Sequence, residues 1–150
     1  MALGFQNMTP EGKRLFKQLQ ELESLEVVVG FQGDQSYDDG TSLAEVAAYN
    51  EFGSSNTPAR PFMKQSFENH EDALKAGCKQ VDITISKGGT AQQALEKLGV
   101  MAKGLVQEEI VNGGFAPNAE STIAMKGSAT PLVDSGYMRQ SVNYVIRKRR

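Results

Sequence analysis

The chain has 150 residues, room for one domain with its own core at the usual ~100–200 residues per domain. Hydrophobic residues make up 39% and charged residues 23%, a globular rather than a disordered balance, and 15 glycines with no tryptophan point to a modest core and many turns. The formal net charge of -2 excludes a bulk nucleic-acid binder, which needs basic excess to displace counterions from phosphate, and leaves room only for local DNA contact.

No apolar run approaches the ~18 residues needed to cross a bilayer, and the start MALGFQNMTPEGKR lacks the basic-then-apolar layout of a signal peptide, so the expected compartment is a cytoplasm. Thr9 before Pro10 is a helix start: threonine caps and proline fits the first helical position. Leu15, Leu19 and Leu22 then mark one face of a helix near 10–23. LEVVVGF, Leu25 to Phe31, is a β-branched run bounded by glycines and reads as a buried strand, followed by a loop from Gln32 to Ser42. Ser42 and Glu45 form a capping box, and Leu43, Val46, Ala47 and Phe52 give the apolar face of a short helix that Gly53 ends.

From Pro61 the spacing of Phe62, Met63, Phe67, Leu74, Cys78 and Val81 predicts one helix over 61–81, with Cys78 packed in its buried face. The segment 82–86, Asp82 to Ser86, fits either a third strand or the frayed end of that helix, and Gly88-Gly89 breaks it. Thr90 and Gln93 form a second capping box opening a helix over 91–111, striped by Leu95, Leu98, Met101, Ala102, Leu105, Val106 and Ile110. The alternation after Ser141 predicts a last strand over 141–148. The expected organisation is a single domain, 1–150, with a helical extension over 1–24, a core over 25–146 and a basic tail, Arg147, Lys148, Arg149 and Arg150, dispensable for folding.

Chemistry-bearing motifs are sparse. GFQG, Gly30 to Gly33, lacks the helix opening of a dinucleotide fingerprint, and Asp34, Asp38 and Asp39 lack the spacing of a calcium loop. Ser135 is not in a nucleophile elbow. His70 and Cys78 are the single histidine and cysteine, and on one continuous helix they stand ~12 Å apart, too far for proton transfer. The expectation is no catalytic residue, no metal and no cofactor.

What stands out is NTPARPF. Pro58 and Pro61 restrict the backbone on both sides of Ala59-Arg60, so Arg60 is presented with little entropy left to lose. Its guanidinium suits a carboxylate: Glu45, Glu51 or Asp134 in the same chain, or one on a neighbour. Alternatively the prolines only direct a crossover between helices and Arg60 is a solvated bystander.

These residues carry a resemblance. Val29-Gly30, then Glu51-Phe52-Gly53 and Pro58-Ala59-Arg60-Pro61-Phe62, followed by Thr122-Ile123, Lys126-Gly127, Pro131-Leu132, Asp134-Ser135-Gly136, Met138 and Ser141, is similar to the head–tail joining and tail-completion family of tailed bacteriophages, the small virion morphogenesis or neck proteins that include minor tail protein Z-like members. The match spans residues 25–145, with its two motifs in the family's order. The resemblance implies a structural virion protein at the head–tail interface, assembled in the host cytoplasm as a homo-oligomeric, sixfold ring. Its implied partners are the adaptor or connector above and tail-tube or terminator proteins below, and the implied assembly residues are Glu51, Phe52, Gly53, Pro58, Arg60, Pro61, Phe62, Lys126, Gly127, Pro131, Asp134 and Gly136.

The fold expected is α+β: a small, mostly antiparallel sheet packed by the two long helices, in a ring-forming subunit. Two other functions stay open, a tail terminator that stops tube growth and a small nucleic-acid-binding regulator. The regulator rests on Arg147 to Arg150 alone, which as a solvated tail needs no partner and in a ring would point into a DNA channel.

Overall fold

A computed structural model of the chain describes residues 4–115 and 136–150. After a 3₁₀ turn (Phe5–Asn7), Thr9 and Pro10 start α1 (Pro10–Ser24) as their chemistry dictates, with Thr9 Oγ1 accepting the Gly12 amide at 3.1 Å. The chain passes straight into β1 (Leu25–Gly30), which pairs antiparallel with β2 (Asn143–Lys148) in a two-stranded sheet. The pairing is closed at one end by the Arg149 amide donating to Ser24 O at 2.9 Å. β2 starts at Asn143, two residues later than expected, because Ser141 is the last residue of a short helix.

The rest is helical. α2 (Leu43–Phe52), α3 (Phe62–Asn69), α4 (Glu71–Ser86), α5 (Ala91–Asn112) and α6 (Tyr137–Ser141) bring the described residues to six α-helices, a helix-dominated α+β fold. Both cap positions are used: Ser42 Oγ accepts the Glu45 amide, one half of a capping box, while Thr90 and Gln93 cap reciprocally, each side chain taking the other's amide at 3.1 Å.

One expectation is corrected and one open alternative is decided. The helix over 61–81 is two helices, broken at His70, whose backbone leaves the helical region (φ -117, ψ 25). Ser66 O takes both the His70 amide (3.2 Å) and the Nδ1 of its ring (2.9 Å), which caps α3, and Glu71 and Asp72 then restart the chain with carboxylates at a helix N-terminus. A single apolar stripe therefore does not run through both helices: Phe67, five residues after the buried Phe62 in α3, is 43% exposed, and Cys78 in α4 is exposed rather than packed. Of the two alternatives for 82–86, the helical one holds, as the last residues of α4. Val81 and Ile85, one turn apart, are buried against Ala91, Ala94 and Leu95, and this packing overrides the β-branched composition. Gly88, at φ +105, then ends the helix, and Gly89 N donates to Thr84 O at 2.8 Å.

Contacts divide the chain into two compact units. The first (residues 1–28, 72–101 and 145–150) has a core of Leu25, Val81, Ile85, Ala91, Ala94 and Leu95, packed by Leu15 and Leu22 of α1, Val27, Leu98 and Ile146. Within it α1 staples the α4–α5 turn. Arg14 donates to Ile85 O (2.8 Å) and Gly89 O (3.1 Å) at the end of α4, and Gln18 Oε1 takes the Ala91 amide at the start of α5 (2.8 Å). Leu19, expected on the inner face, is 44% exposed. The second unit (29–71 and 102–144) has a core of Leu43, Ala47, Phe62, Val106, Ile110, Met138 and Val142. No helix among the described residues is long and apolar enough to cross a membrane.

Candidate functional site

The thirteen residues from Asn50 to Phe62 form a braced corner in the second unit. Gly53 ends α2 with φ 76 and ψ 174, a region open essentially to glycine alone, and a Cβ there would sit 2.9 Å from the Ala59 nitrogen. Ser54 and Thr57 then bridge across Ser55-Asn56, with Ser54 N donating to Thr57 O at 2.9 Å. The returning chain is tied to α2 by the Arg60 amide on Asn50 O at 2.6 Å. Pro61 (φ -77, ψ 65) is the centre of an inverse γ-turn, closed by Phe62 N on Arg60 O at 2.8 Å. The two prolines thus serve a tight reversal that drops Phe62 into the core.

Pro61 offers no side-chain cap to α3, and Glu51 supplies it from the end of α2. Its two carboxylate oxygens accept the Met63 amide (2.9 Å) and the Lys64 amide (3.0 Å), with negative charge at the positive end of the helix. Phe62 is fully buried with Leu43 and Ala47 of α2 and Val106 and Ile110 of α5, and the Phe31 ring stands edge-on to it at 6.1 Å. Phe62 thereby joins α2 to α5 in the core of the second unit.

Arg60 is 8% exposed, so it is no solvated bystander, and burial pulls its guanidinium below the usual arginine range. Nη1 lies 3.4 Å from Asn50 Oδ1. Of the three carboxylates expected for it, Glu51 is held on the α3 amides and Glu45 accepts the Tyr49 hydroxyl at 2.9 Å, whereas Asp134 lies outside the described residues. The same hydrogen bond to Glu45 pushes the Tyr49 hydroxyl above its ordinary value.

Phe52 departs most from expectation. Assigned to the apolar face of α2, it is instead 82% exposed, between a glutamate and a glycine that both have structural roles. Pro58 is exposed just after the Ser54–Thr57 bridge. From the second motif, Thr122, Ile123, Lys126, Gly127, Pro131, Leu132, Asp134 and Ser135 lie outside the described residues. Gly136 takes φ +74 at the cap of α6, and Met138 and Ser141 are buried. Met138 shares the core cluster with Phe62, so the two motifs converge although 76 residues separate these side chains (138 minus 62).

The basic end belongs to the first unit, and β2 ends at Lys148 as expected, so Arg147 and Lys148 of the basic tail lie within the strand. Arg147 Nε pairs with Glu26 at 2.7 Å, Lys148 Nζ reaches Ser24 Oγ at 3.1 Å and Arg149 Nε reaches Leu25 O at 3.1 Å; Arg150 is exposed.

Sequence reasoning missed a second constellation in the same unit as the corner. Glu109, 6% exposed, accepts Gln65 Nε2 (2.7 Å) and Asn69 Nδ2 (3.0 Å) on one oxygen, and its other oxygen faces His70 Nδ1 at 3.7 Å. Gln65 Nε2 also reaches Gly113 O at 2.6 Å. This is a polar clamp between α3 and α5, its buried acceptor matched by side-chain donors. The available signal was a carboxylate at 109 in register with the buried positions Ala102 and Val106, a place where an unpaired charge is costly.

Compared with known proteins, the chain matches no family model, no curated protein and no solved structure.

Proposed function

We propose that the chain is a structural subunit of a tailed-phage virion at the head–tail junction, a neck or tail-completion protein that joins the tail to the DNA-filled head as a homo-oligomeric ring. The observation that carries this reading is the convergence of the two resemblance motifs on one core, Phe62 from the first and Met138 from the second. Around that core the motif residues act as scaffold: Glu51 caps a helix, Gly53 permits a close turn and Arg60 is buried beside Asn50. Such a device stiffens a surface, and a ring subunit depends on surfaces that keep their shape around a symmetry axis.

A nucleic-acid-binding regulator is disfavoured, because Arg147, Lys148 and Arg149 are engaged with β1 and the end of α1. Joining is favoured over termination because neither of the two described strands is a long, exposed apolar edge of the kind that would mimic a sheet-paired tube subunit. Gold-conjugated antibody against the chain, applied to purified virions of a phage that encodes it, should decorate the head–tail junction. Label confined to the distal tail, or virions that lack the chain, would overturn the assignment.

A further inference from the structure

Among the described residues, each unit carries an exposed aromatic stripe. In the second unit, Glu45, Tyr49 and Phe52 follow one another at i, i+4 and i+7 along the outer face of α2, with Tyr49 53% and Phe52 82% exposed and the Glu45 carboxylate at the head of the stripe. The braced corner behind Phe52 holds the ring on a rigid base, the arrangement that lets an aromatic side chain act as an anchor at little entropic cost. In the first unit, Phe5, Phe16 and Leu19 form the outer stripe of the N-terminal segment, each about two-fifths exposed, with the Phe5 and Phe16 rings 5.6 Å apart. Here the charge is reversed. The ammonium groups of Lys13 and Lys17 stand 5.8 and 6.0 Å from the centre of the Phe5 ring. Glu23 is a full turn beyond Leu19, away from the lysines.

We propose that these two stripes are the two halves of one interface between copies: the Tyr49–Phe52 stripe of one subunit docks on the Phe5–Phe16–Leu19 stripe of the next, with Glu45 against Lys13 and Lys17. The occupant of each face is thus a second copy of this chain. One stripe runs along α2 and the other along α1 with Phe5 of the 3₁₀ turn packed beside Phe16, the charges beside the two are opposite, and one chain carries both, so the contact is heterologous and propagates from copy to copy. The inference rests on the ring reading and assigns the surfaces that would build the ring.

Phe52→Glu and Phe16→Glu each destroy one half and leave the other intact. Both positions are exposed, and the far-UV circular dichroism of each variant should match that of the unaltered chain, which shows that the fold is kept. Sedimentation velocity should show the unaltered chain assembled and each variant weakened in self-association by about 30-fold or more. An equimolar mixture of the two variants should form a one-to-one dimer and nothing larger, since only one productive pair of faces remains. An unaltered chain that assembles while either variant reaches the same size, or variants whose mixture stays monomeric, would overturn this interface and leave the ring reading standing. An unaltered chain that stays monomeric would overturn the interface in solution. A photo-crosslinking phenylalanine at position 52, used on purified virions, then addresses the ring itself: crosslinks to residues 5–19 of another copy establish the interface, and crosslinks only to other sites or other proteins overturn it.

Discussion

Removing the Glu51 carboxylate tests whether the corner is a scaffold. α3 has eight residues, well below the ~12–15 at which isolated helices become even marginally stable, so it depends on its cap and its packing. Glu51→Ala leaves the Met63 and Lys64 amides without their partner. The Met63 amide is part-buried and its loss costs about 1 kcal/mol; the exposed Lys64 amide regains water and costs about 0.5; loss of the anion at the helix N-terminus adds about 0.5. The expected total is about 2 kcal/mol, a fall in Tm of about 4–8 °C for a chain of this length. Glu51→Gln keeps an acceptor and loses the charge, and should recover about half of that. Thermal unfolding followed by circular dichroism reads the stability, and hydrogen exchange at Met63 and Lys64 locates it. A Glu51→Ala protein that melts within ~1 °C of the original, with those two amides still protected, would refute the capping role.

Gly53→Ala should destabilise by about 2–3 kcal/mol, because alanine is strained at that backbone conformation and its Cβ meets the Ala59 nitrogen; an unchanged melting temperature would show that the turn can relax. Arg60→Ala should cost about 1.5–3 kcal/mol and Arg60→Lys should restore only part, since an ammonium cannot reproduce the planar fork; equal melting temperatures for all three proteins would remove Arg60 from the corner. Glu109→Ala leaves the Asn69 amide short of its acceptor and should cost about 1–3 kcal/mol, with Glu109→Gln well below that, both by denaturant titration. Deleting Arg147 to Arg150 removes the end of β2 and the Arg149 bond to Ser24 and should lower stability by about 1–2 kcal/mol, of which the half-exposed Arg147–Glu26 pair supplies under ~1; a deletion with unchanged stability would mark those contacts as incidental.

Local chemistry made most of the helix starts legible. Thr9, Ser42 and Thr90 cap where a short polar side chain precedes a helical pattern, and Gly53 and Gly88 stop helices at positive φ. What the sequence concealed depended on partners distant along the chain. Asp82 to Ser86 alternates like a strand, and only the burial of Val81 and Ile85 against α5 makes it helical. The break at His70 comes from donation to Ser66 O by a side chain with no turn signature of its own. The purpose of Pro-Ala-Arg-Pro was legible as stiffness, but not that Glu51, twelve residues before Met63, would cap the helix it introduces. Periodicity puts Phe52 on the apolar face of α2 because it counts apolar residues, and it cannot distinguish an exposed one from a buried one.

The central claim, that the chain joins tails to heads, is tested most directly by electron microscopy of lysates from a phage whose copy of the gene is disrupted. A joining protein acts on surfaces already built, so its loss should leave DNA-filled heads beside free tails of normal length. Over-length tails would contradict the claim and assign the chain to termination, and intact infectious virions would remove it from the junction altogether.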